Sequence, residues 1–425
     1  MLYLRTYVII ILVINMNNRI ILHIDVNNAF LSWTAVDMLK NGSQVDIRKR
    51  YAIIGGDETQ RRGIVLAKSN PCKQKGVVTA ETIRDARRKC PYLEVYKPNF
   101  TIYRQYSNLM YHYLLQYTDK IERYSIDECF LDYTSSQKLF GDPIKIAYKI
   151  KDDIYKKFGF TVNVGIGKNK LCAKMASDFS KPNKVHTLFP EEIKTKMWPL
   201  DVSELFMIGK STSKKLHELN IHTIGELAQT NQEELIKRFK SNGKLMWEYA
   251  NGIDYSEVED GYVNPKSISS STVLPYNYSD INEIHKVIKD LVIDTGKRLR
   301  KNNQYASVVH VSIKYSNFTK ISKQVKLDNN INTDEEIYIE SLKIFNKLWN
   351  EEPIRSIAIG VSGLSTTNNV QLSIFNQTQN KENNDHLQKT IDTIRDKYGN
   401  NLITYANVTH LNDRINLKGY KKDDE

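Results

Sequence analysis

Cysteine is scarce in this sequence of 425 residues, with four in all: Cys72, Cys90, Cys129 and Cys172. None forms a C-x-x-C pair, and none stands near a pair of histidines. That pattern excludes a disulfide framework and argues against a zinc site, leaving reduced structural thiols of the kind found in cytoplasmic proteins. Long apolar runs are missing as well. The conspicuous one, YVIIILVI at residues 7–14, falls well short of the ~20 residues that a membrane-spanning helix needs. No small-residue cleavage site follows it, which argues against a secretory signal. Met16 opens a polar start, so residues 1–15 read as an extension from an earlier start codon, with a membrane anchor as the lesser alternative. No membrane partner is expected. No internal repeat is evident, which sets aside a repeat architecture.

What the chain does hold is tyrosine and positive charge. There are 25 tyrosines, and 61 Lys+Arg against 49 Asp+Glu, a net +12. A basic balance favours a polyanionic partner such as nucleic acid. Many basic proteins bind none, so charge alone decides little. The length exceeds a typical domain of ~100–200 residues, and several compact units are expected.

From Arg19, IILHIDV predicts a buried strand ended by Asn27 and Asn28, with a helix following to Leu39. ECFLDY at 128–133 predicts a second strand before a helix over 143–155. FTVNVGIG at 160–167 predicts a third, before a helix opening near Lys168. Strands alternating with helices indicate an α/β or α+β layer domain. Residues 45–95, rich in Lys, Arg and Gly and containing Asn70-Pro71, read as a small inserted subdomain. After Pro199 the pattern changes to short helices, with Gly209 at a turn before a basic helix. Further on, Ile281, Ile284, Ile288, Leu291, Val292 and Leu299 recur at helical spacing. Strands at 307–315, 321–327 and 354–364, a helix at 337–349 and an opening strand near Ser267 complete a β-α-β-β-α-β order. The Asn- and Gln-rich tail after Ser365 carries one amphipathic helix around 387–398.

Three carboxylates stand where two neighbouring strands can deliver them to one point: Asp25 ends the first strand, and Asp127 and Glu128 lead the second. Singly, an Asp near a strand end is most often a turn or cap residue, and an Asp-Glu pair a solvated corner. Together, beside apolar strand ends, they are costly unless compensated, and a divalent cation is the natural compensator. Mg2+ takes one or two carboxylates and completes its shell with water and substrate phosphates. Two such ions can activate an attacking 3′-oxygen and stabilise a leaving pyrophosphate, chemistry in which the protein mainly positions charge.

HIDVNNAF, YSIDECFLDY and VGIGKNKLCAKMASDFSKPN resemble three motifs of the Y-family (translesion) DNA polymerases, the group of bacterial DNA polymerase IV and UmuC-type polymerases. The resemblance runs in order, at family-like spacing, from about Arg19 to Phe375. It implies an α+β right-hand polymerase: palm and small fingers over 16–190 (fingers about 31–95), and a helical thumb with a helix-hairpin-helix over 191–262. A β-α-β-β-α-β little finger over 266–364 and a tail over 365–425 complete it. It implies that Asp25, Asp127 and Glu128 hold two Mg2+ ions with help from the Val26 carbonyl, and that Tyr124 and Ser125 support the carboxylates. Phe30 falls on the steric-gate position, where an aromatic ring excludes a 2′-hydroxyl; without the family pattern it would read as a core aromatic. Lys181 matches a lysine that contacts the incoming triphosphate. Asn70 and Lys73 fall where relatives commonly carry a tyrosine and an arginine for the triphosphate, and a lysine lacks the bidentate fork of arginine. Asn27 stands where many relatives have a second aspartate.

The segment around Gly209 and Lys210 resembles a helix-hairpin-helix whose backbone amides bind a DNA phosphate. GKST there is no P-loop, because that motif needs a glycine where Glu204 stands. Lys314, Lys320, Lys323 and Lys326 place positive charge on or beside the little-finger strands for the duplex backbone. Gln371, Leu372, Ser373, Ile374 and Phe375 resemble the pentapeptide by which bacterial polymerases hold the sliding clamp. The expected activity is DNA-templated addition of deoxynucleoside triphosphates to a primer 3′-end, across damaged bases, by a cytoplasmic monomer bound to primer-template DNA and the clamp. No second acidic cluster suggests a proofreading exonuclease. The alternatives are a catalytically silent adaptor that binds DNA and clamp, and a nucleotide cyclase on a related palm. The tail beyond the clamp-like segment is more UmuC-like and points to a further partner.

Overall fold

The computed structural model describes residues 19–58, 61, 63–259, 265–367 and 379–398. The fold is organised on β1 (Ile21–Val26), whose six residues are all buried. Such a strand tolerates His23 and Asp25 only where partners meet them. The chain leaves β1 through Asn28, whose φ of 52° is a left-handed conformation that asparagine accepts, and enters α1 (Ala29–Lys40). Two faces of α1 are buried. Ala29, Trp33 and Val36 join the core around β1, while Leu31 and Ala35 pack with Ile47, Ala52 and Ile54 of the next module.

That module is the insertion expected over 45–95. It is a small sheet in the order β3-β2-β4, built from β2 (Ala52–Gly55), β3 (Val65–Lys68) and, after α2 (Asn70–Gln74) and α3 (Ile83–Lys89), β4 (Glu94–Tyr96). Its strands are too short to carry a readable period.

The chain then returns through α4 (Phe100–Leu114) to the main sheet, adding β5 (Ile121–Arg123) and β6 (Glu128–Asp132). A short α5 (Gln137–Phe140) and a long α6 (Pro143–Phe158) lead to β7 (Val162–Gly167), α7 (Lys170–Asp178) and β8 (Val185–Leu188). The sheet order is β5-β6-β1-β7-β8, so the three expected strands are neighbours with β1 in the middle, antiparallel to both. The boundaries of α6 follow from local chemistry. Asp142 accepts from the Ile144 and Lys145 amides, Pro143 fills the first turn, and Gly159 ends the helix at φ 85°. Gly165 and Gly167 let α7 lie against β7 at backbone distance: a Cβ on Gly165 would stand 1.9 Å from the Ala173 carbonyl oxygen.

Four helices follow, α8 (Lys210–His217), α9 (Ile224–Gln229), α10 (Gln232–Phe239) and α11 (Ser241–Ala250). Leu205, Leu216 and Leu227 share a core with Leu171 and Met175 of α7. All of these elements belong to one compact unit, and the chain beyond residue 265 forms another.

The second unit runs β9 (Ser267–Tyr278), α12 (Ile281–Lys301), β10 (Tyr305–Tyr315), β11 (Lys320–Ile331), α13 (Asp334–Leu348) and β12 (Ile354–Ser365). Its antiparallel sheet has the order β11-β10-β12-β9, which realises the β-α-β-β-α-β expectation. The tail helix α14 (Gln379–Tyr398) starts earlier than the expected 387 and is tied to this unit. Arg300 of α12 forks onto Asp392, with Nε 2.5 Å from Oδ2 and Nη2 3.0 Å from Oδ1. Its Nη1 also donates to the buried Asp334 at 2.9 Å, which Gln388 reaches at 3.2 Å. All four cysteines are free and buried. Among the described residues no helix is long and apolar enough to cross a membrane. Residues 1–15 and the clamp-like segment Gln371, Leu372, Ser373, Ile374 and Phe375 lie outside the described residues.

Candidate active site

The register of β1 against β6 makes Asp25 and Glu128 direct cross-strand partners. Directly opposed residues of an antiparallel pair project from the same face, so both carboxylates share a side of the sheet. Asp127 is held one residue before β6, where the Val26 amide, at the end of β1, donates to its carbonyl at 3.1 Å. The Asp127 carboxylate is half-buried and accepts from Ser125 Oγ at 2.6 Å, the support expected of Ser125.

Each buried carboxylate is met by its own lysine. Lys181 Nζ lies 2.7 Å from Asp25 Oδ2 and 2.8 Å from Asp178 Oδ1. Burial raises the Asp25 pKa against the pull of the Lys181 ammonium. For Lys181 itself, burial works against the charge but Asp25 and Asp178 outweigh it, and its pKa is raised. Lys174 Nζ donates to Glu128 Oε2 at 2.7 Å, and His23 Nε2 lies 3.3 Å from the same oxygen. Burial would raise the Glu128 pKa; His23 and Lys174 reverse that and hold it at about 2. Burial lowers the pKa of His23, whose Nδ1 pairs with Ser177 Oγ at 2.8 Å. Tyr124 supports the site indirectly, its ring 5.6 Å from Lys174 Nζ, with Phe206 on that ammonium at 5.5 Å.

With Asp25 and Glu128 turned to separate lysines, no three Asp, Glu, His or Cys side chains among the described residues stand close enough to hold a metal ion as placed. The donor set nonetheless fits a hard divalent cation. It offers carboxylate oxygens from adjacent strand positions, two of them already paired with cations that a metal ion can replace.

Phe30 is half-buried in an aromatic cluster. Its ring stacks on Tyr103 at 4.6 Å and 14°, with Phe100 edge-on at 5.7 Å. Asn70 and Lys73 lie exposed on α2 of the small sheet, on a different element from Lys181, whose place is at Asp25. Gly209 caps α8 with open space around it, and Lys210 beside it is exposed.

The register of β10 against β11 sorts the little-finger lysines by face. Lys314 pairs with Lys320, and Val308 with Lys326, on the face of the sheet that also carries Ser312, Ser322 and Gln324. Lys323 pairs with the core residue Val311, so it projects from the opposite, helix-covered face, although it is exposed at the edge strand. Strand alternation separates it from the other three.

Sequence reasoning missed Lys174, His23 and Asn163. A signal existed for the first. Lys170 and Lys174 are four residues apart on α7, one helical face, and meet Glu122 and Glu128 on neighbouring strands.

The chain is similar to known proteins over most of its length. The impB/mucB/samB family model matches residues 24–178, its C-terminal domain 265–374, and the IMS family HHH motif 190–221. The DNA polymerase IV of Clostridium acetobutylicum is 47% identical over 91% of this chain and 97% of its own length. DNA polymerase IV 2 of Bacillus subtilis is 35% identical over 92% and 95%. Among solved structures, a Y-family DNA polymerase chimera of Dbh and Dpo4 superposes with a TM-score of 0.71 at 25% identity, covering 82% of this chain and all of that one. An insertion ternary complex of Dbh DNA polymerase shares the fold with a TM-score of 0.56 at 24% identity, covering 82% of this chain and 100% of that one. The chain belongs to the Y-family of DNA polymerases, which makes it a DNA-directed DNA polymerase with the palm, fingers, thumb and little finger of that fold.

Proposed function

We propose that this polymerase joins deoxynucleotides to a primer 3′-end by phosphoryl transfer at two Mg2+ ions held by Asp25, Asp127 and Glu128, with the Val26 carbonyl contributing. The observation that carries this is the cross-strand pairing of Asp25 with Glu128, with Asp127 adjacent and Lys181 on Asp25. Bound ions supply charge neutralisation to the triphosphate and acidity to the attacking hydroxyl. The chain's own residues do the rest. Lys181, which meets Asp25 in the structure, would hold the triphosphate, aided by Asn70 and Lys73 from α2. Lys174 and His23 keep Glu128 ionised and oriented. Phe30, backed by Tyr103, lies under the sugar and rejects a 2′-hydroxyl.

The backbone at Gly209 and Lys210 takes a DNA phosphate, and Lys314 with its face-mates Lys320 and Lys326 takes the duplex backbone, in a role that Lys323 does not share. Gln371, Leu372, Ser373, Ile374 and Phe375 bind the sliding clamp. The enzyme works as a cytoplasmic monomer in damage tolerance. The silent-adaptor alternative is disfavoured by an acidic site that keeps all three carboxylates, Asp25, Asp127 and Glu128.

Primer extension on undamaged and abasic templates, with wild type and Asp127→Ala, tests the mechanism. Extension by the wild type alone is expected, and extension surviving in Asp127→Ala refutes it. Deleting residues 371–375 is expected to leave distributive synthesis intact and abolish clamp stimulation.

A further inference from the structure

The loop that carries Lys181 is fastened largely from the sheet beneath it. It runs from the end of α7 to β8, between residues 178 and 185, and is neither helix nor strand. Yet its lysine must sit within reach of Asp25 and a triphosphate. Two buried amide side chains from the sheet beneath fasten its backbone. Asn163, on β7 and fully buried, donates through Nδ2 to the carbonyls of Ser177 at 2.8 Å and Ser180 at 2.6 Å. Its Oδ1 accepts from the Lys184 amide at 3.2 Å and from Asn27 Nδ2 at 3.1 Å. Asn27, the residue after β1, in turn accepts the Asn183 amide on Oδ1 at 2.8 Å.

The pair therefore grips three backbone groups of the loop, at Ser180, Asn183 and Lys184 on both sides of Lys181, and a fourth at Ser177 in the last turn of α7. Both hydrogens of the Asn163 amide face carbonyls, which fixes which end is nitrogen and leaves no room for a carboxylate at that position. Asn27 is committed in the same way. Its nitrogen points at the Asn163 oxygen, so an aspartate there would set two oxygens against each other inside the protein. Because Asn27 lies two residues from Asp25, the same grip sets the loop's height relative to the carboxylate that Lys181 now meets.

We infer that the Asn27–Asn163 pair is a positioning device for Lys181, fixing the loop so that its ammonium serves the triphosphate, and that Asn27 acts through this pair and not as a metal ligand. The inference rests on the reading of Lys181 as a triphosphate contact. Neither asparagine touches substrate, and each works through the loop.

The test measures single-nucleotide insertion by the full chain for wild type, Asn163→Ser, Lys181→Ala and the double variant. Amide exchange at Asn183 and Lys184 is followed alongside. Serine is small enough to be accommodated and too short to reach both the Ser177 and the Ser180 carbonyls. Asn163→Ser is expected to raise the KM for the nucleotide on the order of tenfold with a smaller change in kcat, and to speed exchange at Lys184. In the Lys181→Ala background, Asn163→Ser is expected to add nothing, because residues acting as one unit are not additive. A purely structural role would instead lower stability and kcat alike and add to Lys181→Ala. An unchanged KM or unchanged exchange in Asn163→Ser, or additivity with Lys181→Ala, overturns the inference. An unchanged KM in Lys181→Ala itself is a different result: it removes the triphosphate role of Lys181, while exchange still decides whether the pair holds the loop.

Discussion

Asp25 and Glu128 are direct partners across the antiparallel pair β1–β6, yet their carboxylates answer to different lysines, Lys181 and Lys174, each at 2.7 Å. The two sites are electrostatically unequal as a result. Burial keeps the pKa of Asp25 raised, whereas Glu128, with His23 and Lys174 at one oxygen, is held at about 2. Glu128 therefore ionises over the whole working range, and Asp25 is the carboxylate with more to gain from a metal ion.

A pH dependence of stability follows. A carboxylate whose folded pKa lies below its ordinary value stabilises the fold fully above that ordinary value and loses the contribution as pH falls through the folded pKa. For Glu128 the window runs from 4.5 down to about 2. With a chelator present, urea denaturation should show wild type losing more stability than Glu128→Gln as pH falls through that window. Asp25, with its raised pKa, works in the opposite sense, so Asp25→Asn should not flatten the acid limb. Parallel profiles for wild type and Glu128→Gln would mean that His23 and Lys174 do not hold the carboxylate as described.

The steric gate predicts a change of substrate range. Phe30 is supported from behind by Tyr103 and from the side by Phe100, so its ring has little freedom to yield to an added hydroxyl. Phe30→Ala is expected to cut the preference for deoxy- over ribonucleotides by on the order of 10–100-fold in kcat/KM, the range one steric group in a pocket commands. Competition assays with a matched nucleotide pair read it directly. Tyr103→Leu, which removes the backing ring, should loosen discrimination by less.

Much of this site was legible in the sequence, and the parts that were not have physical reasons. Asp25, Asp127 and Glu128 sit beside strands long and apolar enough to read, so their convergence could be anticipated. Strands β5 and β8, three and four residues long, could not be read that way, and they are the two edges of the sheet. Lys174 reaches Glu128 only because Gly165 and Gly167 let α7 settle onto β7, a packing distance that no local propensity reveals. Asn27 and Asn163 lie 136 positions apart, and only the fold shows that one amide completes the other. Lys323 is the opposite case. Ile321, Lys323, Val325 and Leu327 alternate along β11, and that period of two already assigns Lys323 to the apolar face.

The two faces of the little-finger sheet give a salt-dependence prediction. Each lysine that neutralises a duplex phosphate contributes ~0.9 to the slope of log affinity against log salt. Lys314, Lys320 and Lys326 share one face, so alanine at all three should lower that slope by about 2–3 and weaken binding evenly across sequences. Lys323→Ala should leave it nearly unchanged. Fluorescence anisotropy with primer-template DNA at several salt concentrations separates the cases, and equal effects of Lys323 and Lys314 would undo the assignment of faces.

The tail helix offers a prediction about stability. α14 lies against its own unit through Arg300, whose guanidinium serves Asp334 and Asp392 together, while Arg395 approaches Asp334 at 3.5 Å. Burial raises the pKa of Asp334, and Arg300 is the main group that pulls against it. Removing Asp392 takes away the fork on Arg300 but leaves Asp334, so Asp392→Ala should cost roughly 1–3 kcal/mol, less than the ~3–5 kcal/mol of a wholly orphaned buried charge. Arg300→Leu takes the main cation from both carboxylates at once and should cost more. Leu387 is mostly exposed on the same helix, and Leu387→Ala should change stability by no more than ~0.5 kcal/mol. Hydrogen exchange along residues 387–398 reports the release of the helix. Exchange that stays slow in Asp392→Ala would show that the Arg300–Asp392 fork is not what fastens the tail, leaving the hold to its other contacts, such as Lys297 with Asp396.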